Sequence, residues 1–172
     1  HLDAQYFVGL IYHEKKDYVE AMKWLDTAIA NGNPGAMYTK GWIYETGEGA
    51  EKNLDEAMKW YTKAANAGDD KAQYIMGLVN DDRGNYAEAL KWYTKSAEQG
   101  LPDAQYELGL MYALGMGVEQ SYSEAIQLWK AASDAGNGDA SCELGVMYAN
   151  GRGVPKDDAK AAEWYTKAAE QG

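Results

Sequence analysis

The sequence predicts an all-α chain of five helix-loop-helix repeats stacked as one solenoid, and three observations predict it. Glycines recur at Gly32, Gly68, Gly100, Gly136 and Gly172, spaced 36, 32, 36 and 36 residues apart. Each interval carries two apolar stripes at helical spacing. In the last, Ala140, Leu144, Gly145 and Tyr148 form one, and Ala161, Trp164, Tyr165, Ala168 and Ala169 the other. Between them Gly151-Arg152-Gly153-Val154-Pro155 supplies glycines free to take positive φ and a proline that cannot continue a helix. The repeats are 1–32, 33–68, 69–100, 101–136 and 137–172, a single solenoid domain covering 1–172.

The first helix of each repeat opens on Ala4, Ala36, Ala72, Ala104 or Ala140 and carries a glycine five residues on, at Gly9, Gly41, Gly77, Gly109 or Gly145. The loop that follows contains G-x-G in three repeats (Gly47/Gly49, Gly115/Gly117, Gly151/Gly153) and is short in the first and third, a deletion that solvent-side loops absorb cheaply. The second helix starts at Asp17, Asn53, Asn85, Ser121 or Asp157. The first four have Glu20, Glu56, Glu88 and Glu124 three residues on, the capping-box pattern, worth about 1 kcal/mol each. Its face carries Trp24, Trp60, Trp92, Leu128 and Trp164, with Leu25, Tyr61, Tyr93, Trp129 and Tyr165 beside them; both columns are expected in the core, filling the space between units. The closing glycine suits a left-handed helix ending, and Pro34 and Pro102 fall in the first turn of the next helix.

Composition excludes several function classes. With 27 Asp plus Glu against 16 Lys plus Arg, the formal charge is −11, which repels phosphate backbones and anionic lipid surfaces. Nucleic acid is not the expected partner. No apolar run could span a bilayer, and no basic-then-apolar leader opens the chain, so membrane insertion is not expected. The chain begins at His1 without a Met and stops at a repeat boundary, so the expectation is a soluble protein or a soluble piece, with the question whether it is a fragment of a longer one left open. Its missing leader leaves periplasm, exterior and cytoplasm open. A single Cys142 excludes an internal disulfide framework and any C-x-x-C motif.

The motifs that imitate chemical sites have plainer readings. His13-Glu14-Lys15-Lys16-Asp17 imitates H-E-x-x-H, but Asp17 fills the second ligand position and serves as an N-cap, and the other histidine, His1, is at the chain end. The G-x-G pairs continue into no phosphate-binding motif and read as turns. Cys142 shares a helical column with Tyr6, Tyr38, Tyr74 and Tyr106, so a packed thiol is expected rather than a nucleophile. Catalysis has no candidate residue, and no metal or cofactor is expected. Lys23, Lys59, Lys63, Lys91, Lys95 and Lys167 alternate with acids and read as a solvated face.

The pattern A-x-Y-x-L-G-x-x-Y, then G-x-G-V, then A-x-x-W-Y-x-K-A-A-x-x-G, as in Ala104 to Tyr112 and Ala161 to Gly172, resembles the Sel-one-like repeat family, a relative of the tetratricopeptide repeat. The likeness recurs five times and covers essentially the whole chain. The first and third repeats, lacking G-x-G, look closer to the tetratricopeptide form. The resemblance implies a right-handed α/α superhelical solenoid and a protein-binding adaptor or scaffold rather than an enzyme, with the first helices lining a concave face. Columns constant along the chain serve packing, and varying exposed ones are free to serve recognition. On that rule the partner-binding candidates are Tyr6, Tyr38, Trp42, Glu45, Tyr74, Asp81, Asp82 and Tyr106. Trp42 is the outlier of a column otherwise holding Leu10, Leu78, Leu110 and Val146, a residue type typical of interface anchors. The expected partner is a protein or peptide with Lys or Arg for Glu45, Asp81 and Asp82, bound by a monomer. Three alternatives stay open: Trp42 and the tyrosines merely packing between first helices, a small-molecule binder or accessory hydrolase, and a solenoid that assembles through its ends.

Overall fold

The computed structural model describes residues 2–172. Among them are ten α-helices and no strand: α1 (Leu2–Glu14), α2 (Tyr18–Ala30), α3 (Pro34–Thr46), α4 (Leu54–Asn66), α5 (Asp70–Asp82), α6 (Tyr86–Glu98), α7 (Pro102–Leu114), α8 (Tyr122–Asp134), α9 (Gly138–Asn150) and α10 (Asp158–Gln171). Odd-numbered helices are the first helices of the repeats. The chain divides into two compact units, residues 1–76 and 77–172, with α5 running into both. In the first unit α1 packs on α2, α2 on α3 and α3 on α4; in the second α6 packs on α7, α7 on α8, α8 on α9 and α9 on α10.

Capping chemistry sets the helix boundaries. Asp17, Asn53, Ser121 and Asp157 each accept the backbone N–H three residues on, from Glu20, Glu56, Glu124 and Lys160. Asn85 departs from this pattern: its side chain makes no capping bond, and its own carbonyl takes the Glu88 N–H at 3.0 Å. The reciprocal arm of the box is absent as well, because the cap N–H groups of Asp17, Asn53, Asn85 and Ser121 donate to the carbonyls of Tyr12, Tyr44, Asn80 and Tyr112, and Glu20, Glu56 and Glu88 pair instead with Lys23, Lys59 and Lys91. At Asp17 and Asn53 an N-cap and an i, i+3 ion pair stand in place of the full box, at Asn85 the ion pair, and at Ser121 the N-cap. Second helices end on the glycine at positive φ, with the next N–H reaching back to a buried carbonyl, as from Asn33 to Ala28 at 3.0 Å and from Asn137 to Ala132 at 2.9 Å. Pro34 and Pro102 take the first turn of α3 and α7.

The glycine column holds the two helices of a repeat together. A Cβ at Gly41 would stand 2.7 Å from the Tyr61 ring, at Gly77 2.4 Å from Tyr93, at Gly109 2.4 Å from Trp129 Nε1 and at Gly145 2.6 Å from Tyr165. Each glycine therefore seats the large side chain of its own repeat's second helix, rather than opening space between repeats. Tyr61, Tyr93 and Trp129 are buried as a result, as is Leu25 against Gly9. The neighbouring tryptophan column, expected in the core, is only half-buried. Its rings lie under lysines: Lys63 over Trp60 at 4.1 Å, Lys95 over Trp92 at 4.4 Å and Lys167 over Trp164 at 5.1 Å. Half of the lysines read as plain surface charge are thus stacked on aromatic faces.

Candidate functional site

In the first unit, the first helices α1 and α3 bring Tyr6, His13, Tyr38 and Trp42 onto one surface. The His13 ring meets Trp42 and Tyr18 edge-on, with centroids 5.4 and 5.3 Å apart, and its Nε2 lies 3.4 Å from the Glu48 carbonyl. Tyr6 accepts the Thr39 hydroxyl at 3.4 Å. Leu10, His13, Tyr38, Thr39 and Trp42 line a recess of about 190 Å³. Trp42 therefore does two things: it packs on the core around Leu25 and Ile43, and it leaves a face to the recess.

Glu45 is exposed, yet its carboxylate accepts the hydroxyl of Tyr61, which would otherwise be a buried, unpaired donor. Burial first, then the Glu45 hydrogen bond and charge, hold the Tyr61 hydroxyl far above the ordinary phenol range. Tyr38, 5.5 Å from Tyr61 between ring centroids, is also raised, chiefly by burial and then by Asp69, Glu45, Tyr6 and Asp70. Tyr74 is half-buried on α5.

In the second unit the surface is acidic. Tyr106 on α7 is pushed up to about 12 by burial and then by Glu143, Asp139 and Glu107. Glu107 is itself raised, first by burial and then by Asp81, Asp103 and Asp139; Glu143 is raised by burial and Asp139. Among the described residues no Lys or Arg forms an ion pair with any of these five carboxylates. Among the described residues one Asp81 oxygen is buried with no hydrogen-bond partner, and Asp103 accepts from the Asn137 amide at 3.1 Å. Asp82 is exposed.

Of the residues predicted from sequence, Asp81 and Tyr106 thus share one electrostatic neighbourhood, and Tyr6, Tyr38 and Trp42 share one surface. Glu107 and Glu143 were missed. Their signal is in the repeats: the column reads Phe7, Thr39, Ile75, Glu107, Glu143, turning from neutral to acidic in the last two. Cys142 is exposed, not packed as expected, because its column faces the first-helix surface and a thiol is too short to cover itself as the tyrosines there do. Among the described residues no group of His, Cys, Asp and Glu is arranged to hold a metal ion, and His1 lies outside them. No described helix is long and apolar enough to cross a membrane.

Comparison with known proteins places these features. The Sel1 repeat matches residues 34–69, 70–101, 102–137 and 138–172, and a tetratricopeptide repeat matches 1–36; of the two repeats that lack G-x-G, the first thus matches the tetratricopeptide form and the third the Sel1 form. Among curated proteins none matches the chain. A Sel1 repeat protein from Oxalobacter formigenes is 37% identical with a TM-score of 0.84, over 97% of this chain and 70% of that one. A protective antigen of uropathogenic Escherichia coli strains displaying an SLR fold is 34% identical with a TM-score of 0.84, over 99% of this chain and 38% of its own. An immunity protein from Pseudomonas aeruginosa is 25% identical with a TM-score of 0.60, over 99% and 66%. Four consecutive repeat matches and a third or more of residues shared with two such structures have one reading: the chain belongs to the Sel1 repeat family.

Proposed function

We propose that the chain is a protein-interaction scaffold whose first helices bind a basic segment of a partner on the acidic surface around Tyr106. Sel1 repeat proteins are generally non-catalytic scaffolds that bind proteins, which sets the class of function. One observation carries the specific reading: half-buried Glu107 sits near Asp81 and the exposed Asp103 and Asp139, half-buried Glu143 sits near Asp139, and among the described residues none of the five is in an ion pair. Carboxylates held this way cost stability, and a partner's Lys or Arg would offset that cost on binding. In the first unit the recess beside Trp42 offers a separate anchor for an apolar side chain, with Tyr6 and Tyr38 at its margin and Glu45 tied to Tyr61.

Binding of fluorescent hexalysine, with hexaglutamate as control, tests the acidic surface. Raising salt from about 0.05 to about 0.5 M shortens the Debye length from roughly 14 to 4 Å, so association should slow more than dissociation quickens. Reversal of Asp81, Asp139 or Glu107 to Lys should mimic salt. Trp42→Ala should act on dissociation alone, and only for peptides that also carry an apolar residue. Association indifferent to salt and to all three reversals would remove the acidic surface as the recognition face.

A further inference from the structure

The recess beside Trp42 has a counterpart in the second unit. Leu110, Ala113, Glu143 and Val146 stand, in repeats four and five, at the repeat positions that Leu10, His13, Thr39 and Trp42 occupy in repeats one and two. There too a recess opens, about 270 Å³, lined by Leu110, Leu114, Val146 and Met147 of the first helices, by Tyr122 and Trp129 of α8 with Gln120 before it, and by Glu143 and Arg152 as its charged members. It lies below the roughly 300–1,000 Å³ of small-molecule sites and suits one long side chain. The smaller Val146, in place of Trp, leaves room along the apolar wall. The two charges are not equal partners. Glu143 is half-buried, shares the neighbourhood of Asp139, and forms no ion pair with Arg152, which is exposed on the G-x-G loop.

We propose that this recess is a lysine pocket, in which the methylene stem of a partner's lysine lies along Leu110, Leu114, Val146 and Met147 and its ammonium pairs with Glu143. The apolar stretch of the wall and a carboxylate outside any ion pair match the two halves of that side chain, while Gln120 and the Tyr122 hydroxyl, other polar groups of the lining, bond to each other. The inference rests on the reading of the second unit as a surface for basic partners and names where one residue of such a partner goes. It also assigns Arg152 a role: as a like charge at the rim, it weakens lysine binding.

The test uses the whole chain with ¹³C-labelled methyl groups, titrated with N-acetyl-lysine methylamide, its norleucine analogue and its glutamate analogue. The lysine probe should give saturable shifts at the methyls of Leu110, Leu114, Val146 and Met147. Norleucine should bind roughly tenfold more weakly, as should lysine to Glu143→Gln, the loss expected for one charge-assisted hydrogen bond. Arg152→Gln should tighten the lysine probe, and Val146→Trp should abolish the shifts. Absent shifts, equal response to lysine and norleucine, preference for glutamate, or indifference to Glu143→Gln would each overturn the pocket. Hexalysine binding that survives Val146→Trp and Glu143→Gln would remove the pocket while leaving the acidic surface standing. A parent chain that takes the lysine probe but ignores hexalysine would do the reverse.

Discussion

Lys16 is the one residue other than glycine that the described backbone holds at positive φ, at 60°, one position before the Asp17 cap. The third repeat has Gly84 at φ 72 in the same place, before Asn85. A side chain in the left-handed region costs about 1–2 kcal/mol, and glycine returns some of that through the freedom of the unfolded chain. Lys16→Gly should therefore stabilise the protein by roughly 0.5–1 kcal/mol in urea unfolding; a loss of stability would mean that Lys16 makes a compensating contact. At this scale the sequence was legible wherever a residue's local chemistry decides its place, as at the Asp17, Asn53, Ser121 and Asp157 caps. It was less so at the reciprocal arm of the capping box, because the cap N–H groups of Asp17 and Asn53 donate to the Tyr12 and Tyr44 carbonyls, and Glu20 and Glu56 turn to a lysine one turn away.

A helix presents adjacent residues about 100° apart, so two neighbouring apolar columns cannot both face the partner helix, and periodicity alone does not say which one does. The pairing with glycine says it. Tyr93 lies on Gly77 and is buried, whereas Trp92 is half-buried under Lys95. The lysine three residues after the tryptophan was the signal available in the sequence, since that spacing places an ammonium over the ring. Gly77→Leu should accordingly cost about 1–3 kcal/mol or more, because the new side chain must displace a ring its Cβ already meets. Trp92→Leu, on the wetter column, should cost less. The two are compared by urea midpoints, and a Gly77→Leu midpoint equal to the parent's would break the assignment of the glycine column as the helix contact. First-helix surfaces were harder to read than these contacts. The recognition surface proposed above turns on Glu107 and Glu143, and that column shows its change only when all five repeats are laid side by side.

The whole chain carries a formal charge of −11, and its acids are unevenly compensated. Glu20, Glu56 and Glu88 have lysines, while the carboxylates around Tyr106 do not. Burial, reinforced by neighbouring acids, raises Glu107 and Glu143 above the ordinary carboxylate value of about 4.3, so within the window between that value and their raised ones the folded chain holds protons that the unfolded chain has released. Stability gained from this source is present at the bottom of the window, falls as pH rises through it, and is lost above it. Cooling of the charge and loss of recognition go together, because a protonated carboxyl no longer attracts a basic segment. The melting temperature should therefore rise on acidification from pH 7 into that window while hexalysine affinity falls. The double variant Glu107→Gln, Glu143→Gln should melt higher than the parent at pH 7, lose most of that advantage as pH falls, and bind hexalysine weakly at both. Melting curves and peptide titrations at the same pH values decide it: a double variant that melts lower than the parent at pH 7 would show these acids held by native contacts, and so kept for stability rather than for a partner.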